Sequence, residues 1–311
     1  MIICCGEALI DMLPTGCSGG DGYRPHTGGS VFNTAIALGR LDVPVGLISG
    51  MSRDLFGDRL RSALDDSGVD HGLAVLSDRP TTLAFVNLVD GQASYSFYDE
   101  GSAGRMLAAL DLPEPPEGAR AYFFGGISLS SEPCGSAYEA YFERVSGRAV
   151  TMMDINVRPA FVDDEPAYRA RLERMVAHAD IVKISDEDLR WLTPGAAEGD
   201  TVRAMLDSGA GMVLVTRGSK GCVAHTMGAR VEVAARVVEV VDTVGAGDTF
   251  NAGVLCSLNR QGLLRPGALA DPPQQALRNA LELGVRAAAV TVGRAGANPP
   301  RAIELDQADP G

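Results

Sequence analysis

Short apolar runs alternate with segments of helical period along most of the 311 residues. Residues 2–10 read as a buried strand, and residues 34–41 as a helix opening after Gly28-Gly29-Ser30-Val31-Phe32-Asn33. A strand at 45–50 and a helix at 54–67, closed by Gly68, follow. From Ala119 the same rhythm predicts strands at 121–127, 149–153 and 180–184, with helices at 134–147 and 165–178. Next come a strand at 211–216, a valine-rich strand at 230–241, a helix with Phe250, Val254, Leu255 and Leu258 on one face, and a last helix at 276–289. This β-α-β order predicts an α/β fold, with a mostly parallel central sheet flanked by helices. Two stretches break the rhythm. Residues 81–89 and 93–98 alternate apolar and polar positions around Asp90-Gly91, a strong hairpin signal. Residues 16–27 are polar and glycine-rich without helical period. Residues 301–311 read as a polar tail, and there is no internal repeat or long linker.

The stretch from Val240 to Gly253 reads Val-Val-Asp-Thr-Val-Gly-Ala-Gly-Asp-Thr-Phe-Asn-Ala-Gly, at a strand-to-helix junction. Gly245, Ala246 and Gly247 allow a tight turn, and the free N–H groups of the first helical turn favour an anion. Asp248 lies in that turn. A carboxylate among anion-binding amides suits removal of a proton from a hydroxyl that attacks a phosphate. Taken alone, it reads equally well as a helix-capping acid. Asp11 ends the first apolar run, where α/β sheets meet ligands, although it also reads as a turn residue before Pro14. Asn33 falls on the first turn after Gly28-Gly29, with an amide that both donates and accepts, as sugar hydroxyls require.

Composition narrows the class. Hydrophobic content of 46% and charged content of 22% are those of a globular protein. A net charge of −13 argues against nucleic acid and anionic membrane as partners. The apolar runs fall short of a membrane span and no secretory leader is evident, so a cytoplasmic location is expected. Six scattered cysteines and four histidines form no metal-ligand spacing. Walker A is absent, and so is a Gly-x-Gly-x-x-Gly after the first strand, which a Rossmann dehydrogenase would need.

Asp-Thr-x-Gly-Ala-Gly-Asp-x-Phe at 242–250 is similar to the C-terminal signature of the PfkB/ribokinase-like carbohydrate kinases, and agreement in order and spacing spans nearly the whole chain. The resemblance implies a ribokinase-like three-layer fold with a small β-sheet lid. Residues 1–11, 27–80 and 100–311 would form the kinase core, and 12–26 with 81–99 the lid. It implies ATP with Mg2+ as phosphoryl donor, K+ in some members, and Asp248 as base beside the amides of Gly245, Ala246 and Gly247. Asp11, Gly28, Gly29 and Asn33 match the sugar-binding positions. Phe124-Gly125-Gly126-Ile127-Ser128-Leu129 with Asp154-x-Asn156-x-Arg158 looks like the fructokinase and 2-keto-3-deoxygluconate kinase branch, placing Asn156 and Arg158 at the pocket; a surface salt bridge is the other reading of Arg158.

Ser185 and Asp188 stand where the family has Asn-x-x-Glu near magnesium and phosphate. Asp188 is one methylene shorter than Glu and would act through water, or simply acidify a helix start. Thr216, Gly218, Ser219 and Gly221 match a nucleotide-contacting loop. Carbonyls of Asp242, Val244, Thr291, Arg294 and Gly296 match a potassium site. Val285 departs from the Asn often found beside adenine. Phe97 reads as a sugar-facing or lid-core aromatic. Asp99 after Phe97-Tyr98 is expected to repel an acid sugar, which favours fructose over 2-keto-3-deoxygluconate, while Arg158 speaks for the acid. A non-catalytic sugar or nucleotide sensor would have no use for Asp248. The exposed edges of the lid sheet suggest a homodimer.

Overall fold

The computed structural model describes residues 1–17, 20–89 and 92–307. The chain opens with strand β1 (Ile2–Cys5), then β2 (Leu9–Cys17) and β3 (Gly20–Gly28), before helix α1 (Ser30–Arg40). Strands β4 (Val45–Ile48) and β5 (Gly50–Ser52) lead to α2 (Leu55–Asp66), which Asp54 caps through the N–H groups of Phe56 and Gly57. Four short strands follow: β6 (Val69–Asp70), β7 (Val75–Ser77), β8 (Leu83–Val89) and β9 (Gln92–Tyr98). The regular alternation is then β10 (Ala121–Gly125), α3 (Cys134–Val145), β11 (Val150–Asp154), α4 (Glu165–Val176) and β12 (Ile181–Ser185). Helices α5 (Asp186–Leu192) and α6 (Glu198–Ser208) precede β13 (Met212–Thr216), β14 (Cys222–His225) and β15 (Arg230–Val233). The chain ends in α7 (Ala246–Arg260), α8 (Gln274–Val292) and α9 (Ala302–Gln307).

Nine strands form the main sheet in the order β15-β14-β13-β12-β11-β10-β1-β4-β6. It is parallel from β6 to β13; β14 pairs antiparallel with β13, and β15 antiparallel with β14, so β14 alone runs against the rest. Both faces are covered, so side chains along one strand serve two cores: Ile2 and Cys4 pack on one side, Ile3 and Cys5 on the other. Chain order reverses at β1, between β10 and β4, and the crevice above the carboxyl ends of these strands is where such sheets take ligands. A second sheet, β3-β2-β8-β9, stands over that crevice. The expected Asp90-Gly91 turn between β8 and β9 lies outside the described residues.

Four readings of the sequence change. The apolar run 2–10 is two strands in different sheets, because the chain breaks at Gly6-Glu7-Ala8, so Asp11 belongs to the second sheet. Strand 230–241 stops at Val233: its partner β14 begins at Cys222, opposite Val233, and the valines beyond have no strand to pair with. Helix α8 continues through Thr291 and Val292 rather than ending near 289. Residues 302–307 form α9, which buries Leu305, instead of a polar tail.

Candidate active site

Helix α7 begins at Gly245, whose left-handed backbone (φ 78°, ψ 0°) turns the chain from the 234–244 segment into the first helical turn. Asp248 in that turn is 8% exposed. The start of α1 grips it: Ser30 Oγ donates to Asp248 Oδ1 at 2.8 Å and Asn33 Nδ2 to Oδ2 at 2.9 Å. Burial pushes the Asp248 carboxyl up to about 6, while the Asn33 and Ser30 hydrogen bonds pull it back. A carboxylate in that range accepts a proton near neutral pH.

α1 has no capping side chain of its own. Glu7, from the link between β1 and β2, supplies one. Its Oε1 accepts the Ser30 N–H at 2.7 Å, and its Oε2 accepts Ser128 Oγ at 2.8 Å. Glu7 thus fastens the β1–β2 link, the α1 start and the segment after β10 to one another, and burial raises its carboxyl to about 7.

These elements enclose a cavity of about 770 Å³ lined by Asp11, Gly29, Asn33, Phe97, Asn156, Arg158 and Asp248, among others. Gly28 does not line it. A Cβ there would sit 2.1 Å from Asp11 Oδ2, so its missing side chain makes room for that carboxylate. Burial and the nearby Asp248 charge push Asp11 up to about 6. Asn156 holds an unusual positive φ of 37° at the cavity wall. Arg158 makes no salt bridge among the described residues and donates to its neighbour's carbonyl, Val157 O, at 3.0 Å. Phe97 packs on Phe161 with ring centroids 3.8 Å apart. Tyr98, next along the strand, points outward and is 66% exposed. Asp99 corrects an expectation: it does not line the cavity but accepts from Thr82 Oγ1 (2.6 Å) and Ser102 Oγ (2.9 Å), so it makes no direct contact with a sugar held there.

A second cavity of about 600 Å³ adjoins the first. Thr216, Gly218, Ser219 and Gly221 line one side, and Phe250, Val285, Ala288 and Val292 form an apolar wall. A flat base fits such a wall without a polar partner at Val285. Lys183, Ser185, Glu187, Thr243 and Gly247 line both cavities and so mark their junction.

Asp188 serves the fold: its Oδ1 accepts the Val157 N–H (2.8 Å), and its Oδ2 accepts the Ser185 N–H and Oγ, forming a capping box on α5. It lines the larger cavity, and exposed Glu187 lines both, so the two offer carboxylate oxygen there, the donor type that a water-retaining magnesium takes. The segments carrying Asp242, Val244, Thr291, Arg294 and Gly296 are laced together, since Asp242 accepts the Val244 N–H (3.0 Å) and the Gly296 N–H (2.8 Å). The sequence reading gave no role to Glu7, Ser30, Lys183 and Phe161, although three of them lie within its motif stretches, because they come together only through the fold.

A model of the pfkB family of carbohydrate kinases matches residues 1–303. The chain is 47% identical over 280 residues to a fructokinase of Rhizobium leguminosarum bv. trifolii, covering 90% of this chain and 86% of that one. Among solved structures, a fructokinase with bound ATP from Xylella fastidiosa superposes with a TM-score of 0.90 at 28% identity, over 99% of both chains. A fructokinase double mutant from Vibrio cholerae O395, with fructose, ADP and potassium ion bound, gives 0.86 at 26% identity, over 98% of this chain and 97% of that one.

Proposed function

Since the chain belongs to the pfkB family of carbohydrate kinases, we propose that its acceptor sugar is fructose and that the paired cavities divide the substrates, sugar in the larger and ATP in the adjoining one. The observation that carries this reading is Asp248, buried at the wall of the larger cavity next to Gly247, which lines both, and held by Ser30 and Asn33. Asp248 takes the proton of a primary hydroxyl as its oxygen attacks the γ-phosphorus. The amides of Gly245, Ala246 and Gly247 receive the charge that develops on the phosphoryl oxygens. Asp11, Gly29, Asn33 and Asn156 hold the sugar, with Gly28 giving Asp11 its room. Ser185, Thr216, Gly218, Ser219 and Gly221 hold the nucleotide.

Magnesium bound to ATP neutralises polyphosphate charge, and Glu187 and Asp188 would hold its waters. The carbonyls of Asp242, Val244, Thr291, Arg294 and Gly296 would hold potassium, fixing the turn that precedes α7; the potassium in the Vibrio neighbour supports this. Residues 12–26 and 81–99 act as a lid that keeps water from competing with the sugar. The protein works as a cytoplasmic homodimer joined through that lid. Buried, unpaired thiols at Cys4, Cys5, Cys134, Cys222 and Cys256 fit a reducing compartment.

One observation favours a second substrate. Arg158 lines the sugar cavity without a carboxylate partner among the described residues, and Asp99 does not line it. A sugar acid, 2-keto-3-deoxygluconate, would supply that partner. An ATP-consumption assay with magnesium and potassium, run separately on fructose, 2-keto-3-deoxygluconate, ribose and adenosine, decides. Turnover with fructose is expected. Turnover with the acid alone would transfer the assignment to it, and none with any sugar would overturn both.

A further inference from the structure

Lys183 sits on β12 beneath the α7 turn and is 4% exposed. It is the sole cation, among the described residues, to line both cavities. Its Nζ lies 3.3 Å from where a Cβ on Gly247 would be, directly beside the amides that open α7. Its hydrogen-bond partner among the described residues is Asp154 Oδ2, at 3.1 Å. Asn251, one turn beyond Asp248 on α7, donates to that same oxygen at 2.7 Å.

An ion pair kept only for rigidity would satisfy both partners. Here Asp154 Oδ1 is buried without a hydrogen-bond partner, and an ammonium with three protons spends one on Asp154. A buried lysine is costly to keep charged, and replacing such a pair by apolar side chains is often neutral or better for stability. Its retention at this point calls for another role. Although burial opposes the charge, Asp154 and Asp188 outweigh it and hold the ammonium protonated. A triphosphate reaching from the junction into the larger cavity meets carboxylates on Glu187, Asp188 and Asp248, and needs a fixed cation among them.

We propose that Lys183 is a further catalytic residue, its ammonium contacting an oxygen of the transferring phosphoryl, with Asp154 and Asn251 as the positioning residues that aim it. It forms no covalent bond. The sugar O–P bond forms, the P–O bond to ADP breaks with its electron pair left on the β-phosphate oxygen, the hydroxyl proton goes to Asp248, and Lys183 offsets negative charge throughout. This rests on the kinase reading above.

Lys183→Met alone would strand Asp154 as a buried charge, so the test uses the double variant Lys183→Met/Asp154→Asn, with Asp154→Asn alone as control. Expected for the double variant is a kcat about 100-fold or more below wild type and a sugar KM within about threefold. Affinity for AMP-PNP, by calorimetry, should fall about tenfold while that for ADP barely moves, a selective loss that a purely structural role would not produce. The single variant leaves Lys183 in place but loosens its aim, so its kcat should fall clearly less than that of the double variant. A double variant with wild-type kcat, or equal losses in the single and double variants, overturns the assignment. Nucleotide binding needs no sugar, so the two readings fail separately: absent turnover by wild type counts against the acceptor, and unchanged AMP-PNP preference in the double variant counts against Lys183.

Discussion

At the residue scale, the site is a group of carboxyls held above their ordinary range, and that has opposite consequences for activity and stability. Asp248, pushed up to about 6, must be ionised to act as base. kcat/KM should therefore fall about tenfold per pH unit below 6, and a flat profile down to pH 5 would remove Asp248 from the role. Asp248→Asn should lower kcat by about 10²–10⁴-fold while the protein still melts cooperatively. Stability runs the other way. Asp11 has a folded pKa of about 6, above its unfolded value, so its contribution to stability is complete below about pH 4 and is lost as pH rises through 6. Asp11→Asn removes that loss and the repulsion with Asp248. Its Tm should exceed that of wild type at pH 8, with the gap closing toward pH 5, while the KM for sugar rises. A gap that does not change with pH would mean that Asp11 is not held up by burial.

At the element scale, helices α7 and α8 pack through glycines. A Cβ on Gly253 would stand 2.7 Å from Gly284 Cα and 2.9 Å from Leu283 O, backbone atoms that cannot rotate aside. Gly253→Ala should force the helices apart at a cost of about 1–3 kcal/mol, seen as a lower Tm in a thermal melt. Because α7 carries Gly247 and α8 carries Val285, the KM for ATP should rise more than that for sugar. An unchanged Tm would show that the helix pair has slack. The elements themselves were largely legible from hydrophobic period, since parallel strands buried on both faces read as continuous apolar runs. What periodicity could not show was where a run changes sheets. Residues 2–10 are apolar apart from Gly6 and Glu7, yet Gly6 to Ala8 redirect the chain and bring Glu7 into the site. Composition likewise made 230–241 resemble a strand, although strand length is set by the partner. Asp248 and the Gly245-Ala246-Gly247 turn stand out because local sequence builds them. Asp99 misled because sequence order alone does not tell which way a side chain turns.

At the scale of the whole molecule, the second sheet has two different faces. Alternation along β9 aims Phe97 into the cavity and Tyr98 outward. Phe85 joins Tyr98 and Tyr23 in an edge-to-face aromatic row on the outer face, with centroids 5.4 and 5.0 Å apart, and both tyrosines are exposed. Exposed aromatic rows beside open strand edges favour association. A second copy stacking its own lid here would cover both rows by two-fold symmetry. It would also stiffen the strand that carries Phe97, linking assembly to sugar binding. The wild-type protein should therefore elute in light-scattering chromatography at twice its 32.5 kDa mass. Tyr98→Asp should shift it to 32.5 kDa without lowering its helix content. If the lid binds the sugar and the base sits on α7, as proposed, the sugar KM of that monomer should rise severalfold while kcat changes little. A monomeric wild type would sink the dimer. A Tyr98→Asp protein that stays dimeric would place the interface on another surface and leave the aromatic row to the lid's own packing.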